Sequence, residues 1–404
     1  MTTSNLIDQT LAKIIPPDQS AMDAARARQD TLTKPQGSLG RLEELSITLA
    51  GIFRNVIPQI NRKAVILAAG DHGVVAEGVS AYPQEVTPAM VANFLAGGAA
   101  INVLARHAGA SIVVLDAGVV ADLAPNPLLR SVKIGRGTAN IAAGPAMTRQ
   151  DAIKCIETGI EAANEQIADG ADLIAFGDMG IGNTTPSSAI TAVVTGADPA
   201  VTTGRGTGLD DPALAHKVEV VRRAIEVNSP DPKDGLDLLA KVGGFEIGVL
   251  AGAMLGTAAG HRPAVVDGFS SGAAALIAWT LSPTLSHYLI ASHQSVEPGH
   301  RIGMETMGLT PLLDMGMRLG EGSGAALAMP IIEAAAKCLS EMATFADAGV
   351  SERIEDENGG APQSCHHFWQ PLVSSPWFLS SGDAASTSGK SATPGPITQR
   401  WGCF

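Results

Sequence analysis

A chain of 404 residues with 45% hydrophobic and only 17% charged content can bury a large core, which excludes a disordered or low-complexity polypeptide. Its 27 basic residues face 40 acidic ones, a net charge of −13 with no basic patch beyond isolated pairs, so nucleic acid is not expected as a partner. Four cysteines without paired spacing (Cys155, Cys338, Cys365, Cys403) indicate neither a disulfide framework nor a zinc site and fit a cytoplasmic setting.

Residues 5–15, 20–32 and 41–55 carry apolar side chains at helical spacing, interrupted by Pro16-Pro17 and Pro35-Gln36-Gly37, and read as a small helical unit. The start of the chain lacks the charged segment and apolar core of an export signal. From Lys63 the pattern changes to short apolar runs at 64–69, 111–115, 132–134, 173–176, 264–266 and 288–291, each closed by a polar, glycine-rich cluster. Helices are expected between and after them at 88–108, 148–169, 186–194, 212–227, 235–260, 271–281 and 299–308, with Pro88, Pro186 and Pro212 where a first turn tolerates proline. Continuous apolar strands alternating with helices predict an α/β fold, a doubly wound and mostly parallel sheet covered on both faces.

The uncharged stretch 247–260 has 14 residues and four glycines, too short for a bilayer, and reads as a packed internal helix; no membrane partner is expected. A last helix is expected at 328–348. Beyond it Ser, Pro and Gly rise and periodicity ends, so residues 351–404 read as a disordered tail foreign to the fold, and Cys365-His366-His367 lacks the further spaced ligands of a metal site.

In such a sheet ligands bind beyond the carboxyl ends of the strands. The clusters there are Gly70-Asp71-His72-Gly73, Asp116-Ala117-Gly118, 177–185, 267–272 and Ser292-His293-Gln294-Ser295, which the topology brings to one rim. Three glycine-rich loops, 177–185, 204–211 and 268–272, match neither the dinucleotide fingerprint nor the P-loop. Two run from a strand into a helix, where free N–H groups can hold a phosphate, although a tight turn explains any one of them as well. Lys217, in the next helix, reads as a phosphate counter-charge or as a solvated helix lysine. Asp71-His72 reads as an acid/base pair or a hydrogen-bonded structural one. Tyr82, one of two tyrosines, stacks on a planar ligand or packs its loop.

Near the end, Gly320-Glu321-Gly322 frames one carboxylate with two flexible residues, next to Leu319 and an alanine-rich run. Two readings fit: a general base whose pKa apolar surroundings raise, or an ordinary acidic residue complementing a helix dipole.

Taken together, Lys34-Pro35-Gln36-Gly37-Ser38-Leu39-Gly40, Ala69-Gly70-Asp71-His72-Gly73-Val74, Gly97-Gly98-Ala99-Ala100-Ile101-Asn102, the 177–185 loop and Arg318-Leu319-Gly320-Glu321-Gly322-Ser323-Gly324 resemble the nicotinate-nucleotide:dimethylbenzimidazole phosphoribosyltransferases. The resemblance runs from about residue 5 to residue 350 with the motifs in order. It implies transfer of the 5-phosphoribosyl group from nicotinate mononucleotide to 5,6-dimethylbenzimidazole, giving nicotinate and α-ribazole 5′-phosphate for the lower ligand of cobalamin. Glu321 falls on the family's general base. Asp178, Gly180, Lys217, Ser295 and Arg318 would surround the phosphoribosyl and nicotinate groups, and Ser80, Tyr82 and Leu319 would line the benzimidazole pocket. No pyrophosphate leaves in this reaction, so neither metal nor cofactor is expected. A homodimer is implied, as is a small helical domain built from both chain ends: 1–58 and 311–350, around a phosphoribosyl-transfer domain at 59–310.

Three features depart from the family pattern: Asp178 where some relatives carry a glutamate, Pro88-Ala89 where Ala-Gln is frequent, and the tail. Transfer to a different acceptor, phosphorolysis of a nucleotide, and silent nucleotide binding are the competing functions.

Overall fold

The computed structural model describes residues 5–351; the expectations for the tail, including Cys365-His366-His367, lie outside the described residues. Six strands, β1 (Lys63–Gly70), β2 (Ala110–Gly118), β3 (Leu129–Ser131), β4 (Leu173–Met179), β5 (Ala264–Val266) and β6 (Leu289–Ala291), form one sheet in the order β3-β2-β1-β4-β5-β6. Every neighbouring pair is parallel, as expected. The order reverses between β1 and β4, the switch point at which loops part and leave a crevice.

The helices are α1 (Asn5–Leu11), α2 (Gln19–Thr31), α3 (Arg41–Phe53), α4 (Val86–Ala96), α5 (Ala100–Ala108), α6 (Arg149–Ala168), α7 (Thr184–Thr195), α8 (Pro199–Thr202), α9 (Asp211–Asn228), α10 (Gly235–Val242), α11 (Phe245–Ala259), α12 (Phe269–Leu281), α13 (Pro298–Thr306), α14 (Ser323–Glu341) and α15 (Phe345–Ala348). Because successive strand side chains point to opposite faces, Ala64, Ile66 and Ala68 join one core with Ile156 of α6, Leu250 of α11 and Leu276 of α12. Val65, Leu67 and Ala69 join the other with Ile101 of α5 and Met329 of α14. Helix α11 is buried along its length, as the 247–260 stretch predicts. It crosses α6 closely: a Cβ on Gly252 would lie 2.0 Å from the Ile156 carbonyl oxygen.

Boundaries differ from expectation at several points, among them a first helix that ends at Leu11. The 88–108 helix divides at Gly97, whose left-handed backbone (φ 79°) caps α4, and 235–260 divides at Gly243-Gly244. The strand expected at 132–134 begins earlier, at β3; Val132 and Ile134 follow it and donate N–H bonds to Asp116 and Ala117 carbonyls at the end of β2. The last long helix starts at Ser323 and stops at Glu341, with α15 a separate turn.

Both ends of the described chain meet: α14 packs across α3 and α2, Ala25, Ala50 and Leu339 share a small core, and Leu32 bridges to Thr344. Residues 86–108 are long and apolar enough to cross a membrane by composition, but they form two helices that pack on β1, β2 and α14.

Candidate active site

Glu321 owes its position to three neighbouring elements. Gly320, Glu321 and Gly322 are all left-handed (φ 85°, 63° and 87°), a conformation that costs a side-chain-bearing residue about 1–2 kcal/mol. Directly after β5, the buried Asp267 holds this turn: Gly322 N–H donates to its Oδ2 (3.0 Å) and Ala325 N–H to its Oδ1 (2.9 Å). Gly177 of β4 closes the other side, where a Cβ would lie 2.3 Å from the Glu321 carbonyl oxygen. The side chain is 6% exposed, and its Oε2 accepts no hydrogen bond from the described residues. Burial raises the Glu321 pKa; the Ile101 amide opposes the rise and the Asp267 charge adds to it.

A cavity of about 460 Å³ opens before this carboxylate, beyond the ends of β4, β5 and β6 and beside the loop that follows β1. Asp178, Gly180, Ser295, Arg318, Ser80, Tyr82, Leu319 and Glu321 all line it. Leu319 and Tyr82 stand at its mouth, 56% and 54% exposed, so Leu319 does not supply the buried frame expected around Glu321. Asp178 is buried and accepts from Asn183 Nδ2 (2.6 Å). Its pKa is pushed up to about 7 by burial, with the Asp267 and Glu246 charges adding and the Ser270 hydroxyl opposing. Of the Pro88-Ala89 departure, neither residue lines the cavity, although Val86 and Met90 beside them do.

Lys217 is placed differently from its companions. It is fully buried behind the 204–211 loop, which removes the solvated-lysine reading, and does not line the cavity. Its Nζ donates to Thr184 Oγ1 (2.7 Å), on the cavity wall, and to the Gly204 carbonyl (3.3 Å). Burial lowers its pKa to about 8, against the opposing charge of Glu297. Around it the loops are tied together: Gly206 N–H donates to Glu297 Oε1 (2.9 Å), Arg318 Nη1 to Gly206 O (3.0 Å) and Ala81 N–H to Thr207 Oγ1 (3.0 Å).

Asp71 and His72 are buried but absent from the cavity wall. His72 Nε2 lies 2.8 Å from Glu246 Oε1, a pair beneath the wall, and although burial works against the imidazolium, the Glu246 charge brings the net shift upward. Three acidic or basic residues at the site escaped residue-level reading: Asp267, His293 and Glu297. The strand-end rule marked the first two as members of polar clusters. For Glu297 the readable signal was its place directly before Pro298, which opens α13.

The sequence profile of a family described as phosphoribosyltransferase matches residues 14–350. The chain is 57% identical over 352 residues to the nicotinate-nucleotide–dimethylbenzimidazole phosphoribosyltransferase of Roseiflexus sp. (strain RS-1), covering 87% of this chain and 100% of the relative. This chain belongs to the nicotinate-nucleotide–dimethylbenzimidazole phosphoribosyltransferase family. The family member of Geotalea uraniireducens (strain Rf4) is 53% identical over 86% of this chain and 99% of its own length. A crystal structure of the family's CobT from Thermus thermophilus superposes with a TM-score of 0.80 at 50% identity, covering 83% of this chain and all of that one. The α/β fold and the transferase class therefore agree with the sequence expectations.

Proposed function

We propose that the chain transfers the 5-phosphoribosyl group of nicotinate mononucleotide to 5,6-dimethylbenzimidazole, releasing nicotinate and forming α-ribazole 5′-phosphate for cobalamin. The observation that carries this is the buried Glu321 carboxylate, with one oxygen unpartnered, at the wall of a cavity large enough for small substrates.

The chemistry sets the roles. Nicotinate bound to C1′ is a pyridinium, so when the C–N bond breaks its electron pair stays on the ring nitrogen and no acid is needed. The difficulty lies with the nucleophile. As one benzimidazole nitrogen bonds to C1′, the N–H at the other becomes acidic, and Glu321 takes that proton. General-base help of this kind contributes about a hundredfold to ten-thousandfold. Attack from the face opposite the leaving ring converts the β-nucleotide into an α-product, which requires one ring on each side of the sugar. Ser80, Tyr82 and Leu319 would take the benzimidazole; Asp178, Gly180, Ser295 and Arg318 would surround the phosphoribosyl and nicotinate groups. Lys217 acts from behind Thr184 as a positive charge at neutral pH.

The same proposal includes a homodimer in the cytoplasm and a small helical domain at 1–58 and 311–350, supported by the packing of α2 and α3 with α14, whereas α1 packs on α6 and α11. The test follows nicotinate release from nicotinate mononucleotide. Release that requires dimethylbenzimidazole supports the reading; release that requires inorganic phosphate instead replaces it with phosphorolysis, and binding without release replaces it with a silent binding protein. Glu321→Gln should keep nucleotide affinity and lose about a hundredfold or more in kcat; near-normal kcat removes Glu321 from the mechanism.

A further inference from the structure

Helix α14 begins without a cap of its own. Its N-cap residue is Gly322, which has no side chain, and the acceptor for the first free amides comes instead from Asp267, beyond the end of β5. Both carboxylate oxygens are used, one by Gly322 N–H, adjacent to Glu321, and one by Ala325 N–H within the first turn. Asp267 is itself immobilised: it is fully buried, its backbone carbonyl accepts from Ser292 Oγ (3.3 Å), and His293 Nδ1 lies 3.9 Å from its Oδ1.

We infer that Asp267 is a positioning residue for the reaction, clamping the left-handed Gly320-Glu321-Gly322 turn so that the Glu321 carboxylate stays directed at the cavity. This rests on the reading of Glu321 as the base. Two actions follow from one carboxylate. Its hydrogen bonds fix the turn, and its negative charge stands close enough to Glu321 to make proton uptake there easier. The Ile101 amide of α5 and the charges of Asp267 after β5 and Asp178 at the end of β4 act on Glu321, and His293 after β6, Glu297 before α13 and Arg318 in its own loop line the same cavity. Removal of Asp267 therefore subtracts an acidic charge that raises the Glu321 pKa.

The experiment compares the full-length parent, Asp267→Asn and Glu321→Gln for kcat, nicotinate mononucleotide affinity and the pH profile of kcat. Parent turnover checks the function itself: without it, the reading of the whole site fails, and that failure is separate from any result on Asp267. With parent turnover present, Asp267→Asn should lose about a hundredfold in kcat, as expected for a displaced base. Nucleotide affinity should stay within a few-fold of the parent, and the acid limb of the profile should move to lower pH. A kcat close to the parent overturns the inference. So does a fall in kcat with an unmoved acid limb, or with affinity lost in parallel, since each makes Asp267 a structural cap only. If the Asn variant is insoluble, Asp267→Ser is judged on the same three readings; insolubility of both makes Asp267 a folding residue and also overturns it.

Discussion

At Glu321 the side chain and the backbone make opposite demands. The proposed chemistry asks for a carboxylate, while a φ of 63° favours glycine, and Asp267 and Gly177 hold the turn on either side. Asp178 shows a second kind of tension, a carboxyl buried among other acids. Its folded pKa of about 7 lies above the ordinary 3.8, so its contribution to stability is full below about pH 4 and is lost as pH rises through 7. Asp178→Asn can still accept from Asn183 and carries no charge. Its Tm should therefore match the parent near pH 4 and exceed it near pH 8; an equal Tm difference at both would place the proton elsewhere. Glu321 was legible as a candidate from the two glycines that frame it, and Arg318 only from the family resemblance; both line the cavity. Asp267 was not legible as an anchor, because its partners are main-chain amides 55 and 58 residues away, which no side-chain pattern marks.

Among the elements, α6 and α11 form the closest crossing described, and glycine is what permits it. At Gly252 a new Cβ would meet the Ile156 carbonyl at 2.0 Å, and backbone on both sides has little room to give. Gly252→Ala should therefore lose on the order of 1–3 kcal/mol, seen as a lower urea midpoint; an unchanged midpoint would show that the crossing relaxes freely. Strand positions were readable from apolar runs because both sheet faces are covered. Helix breaks were less so: Gly97 and Gly243-Gly244 interrupt runs whose apolar character continues, and only the left-handed turn at the first and the extended one at the second reveal a change of direction.

Across the whole molecule, α14 does two things at once: it covers the sheet face formed by Val65, Leu67 and Ala69, and it presents Glu321 from the turn before its first residue. The family match ends at residue 350, so a chain cut after Val350 should retain parental kcat; loss of soluble protein on that cut would show that later residues support the fold. A stop within α14 has a different meaning. During synthesis the strands and their loops emerge first, with one face of the sheet covered only in part, by α3, α4 and α5, and Glu321 comes out only near the end of the described chain. Nascent copies consequently pass through a stage that is sticky and inert together, and a ribosome that stalls there yields material for quality control, not a weak enzyme.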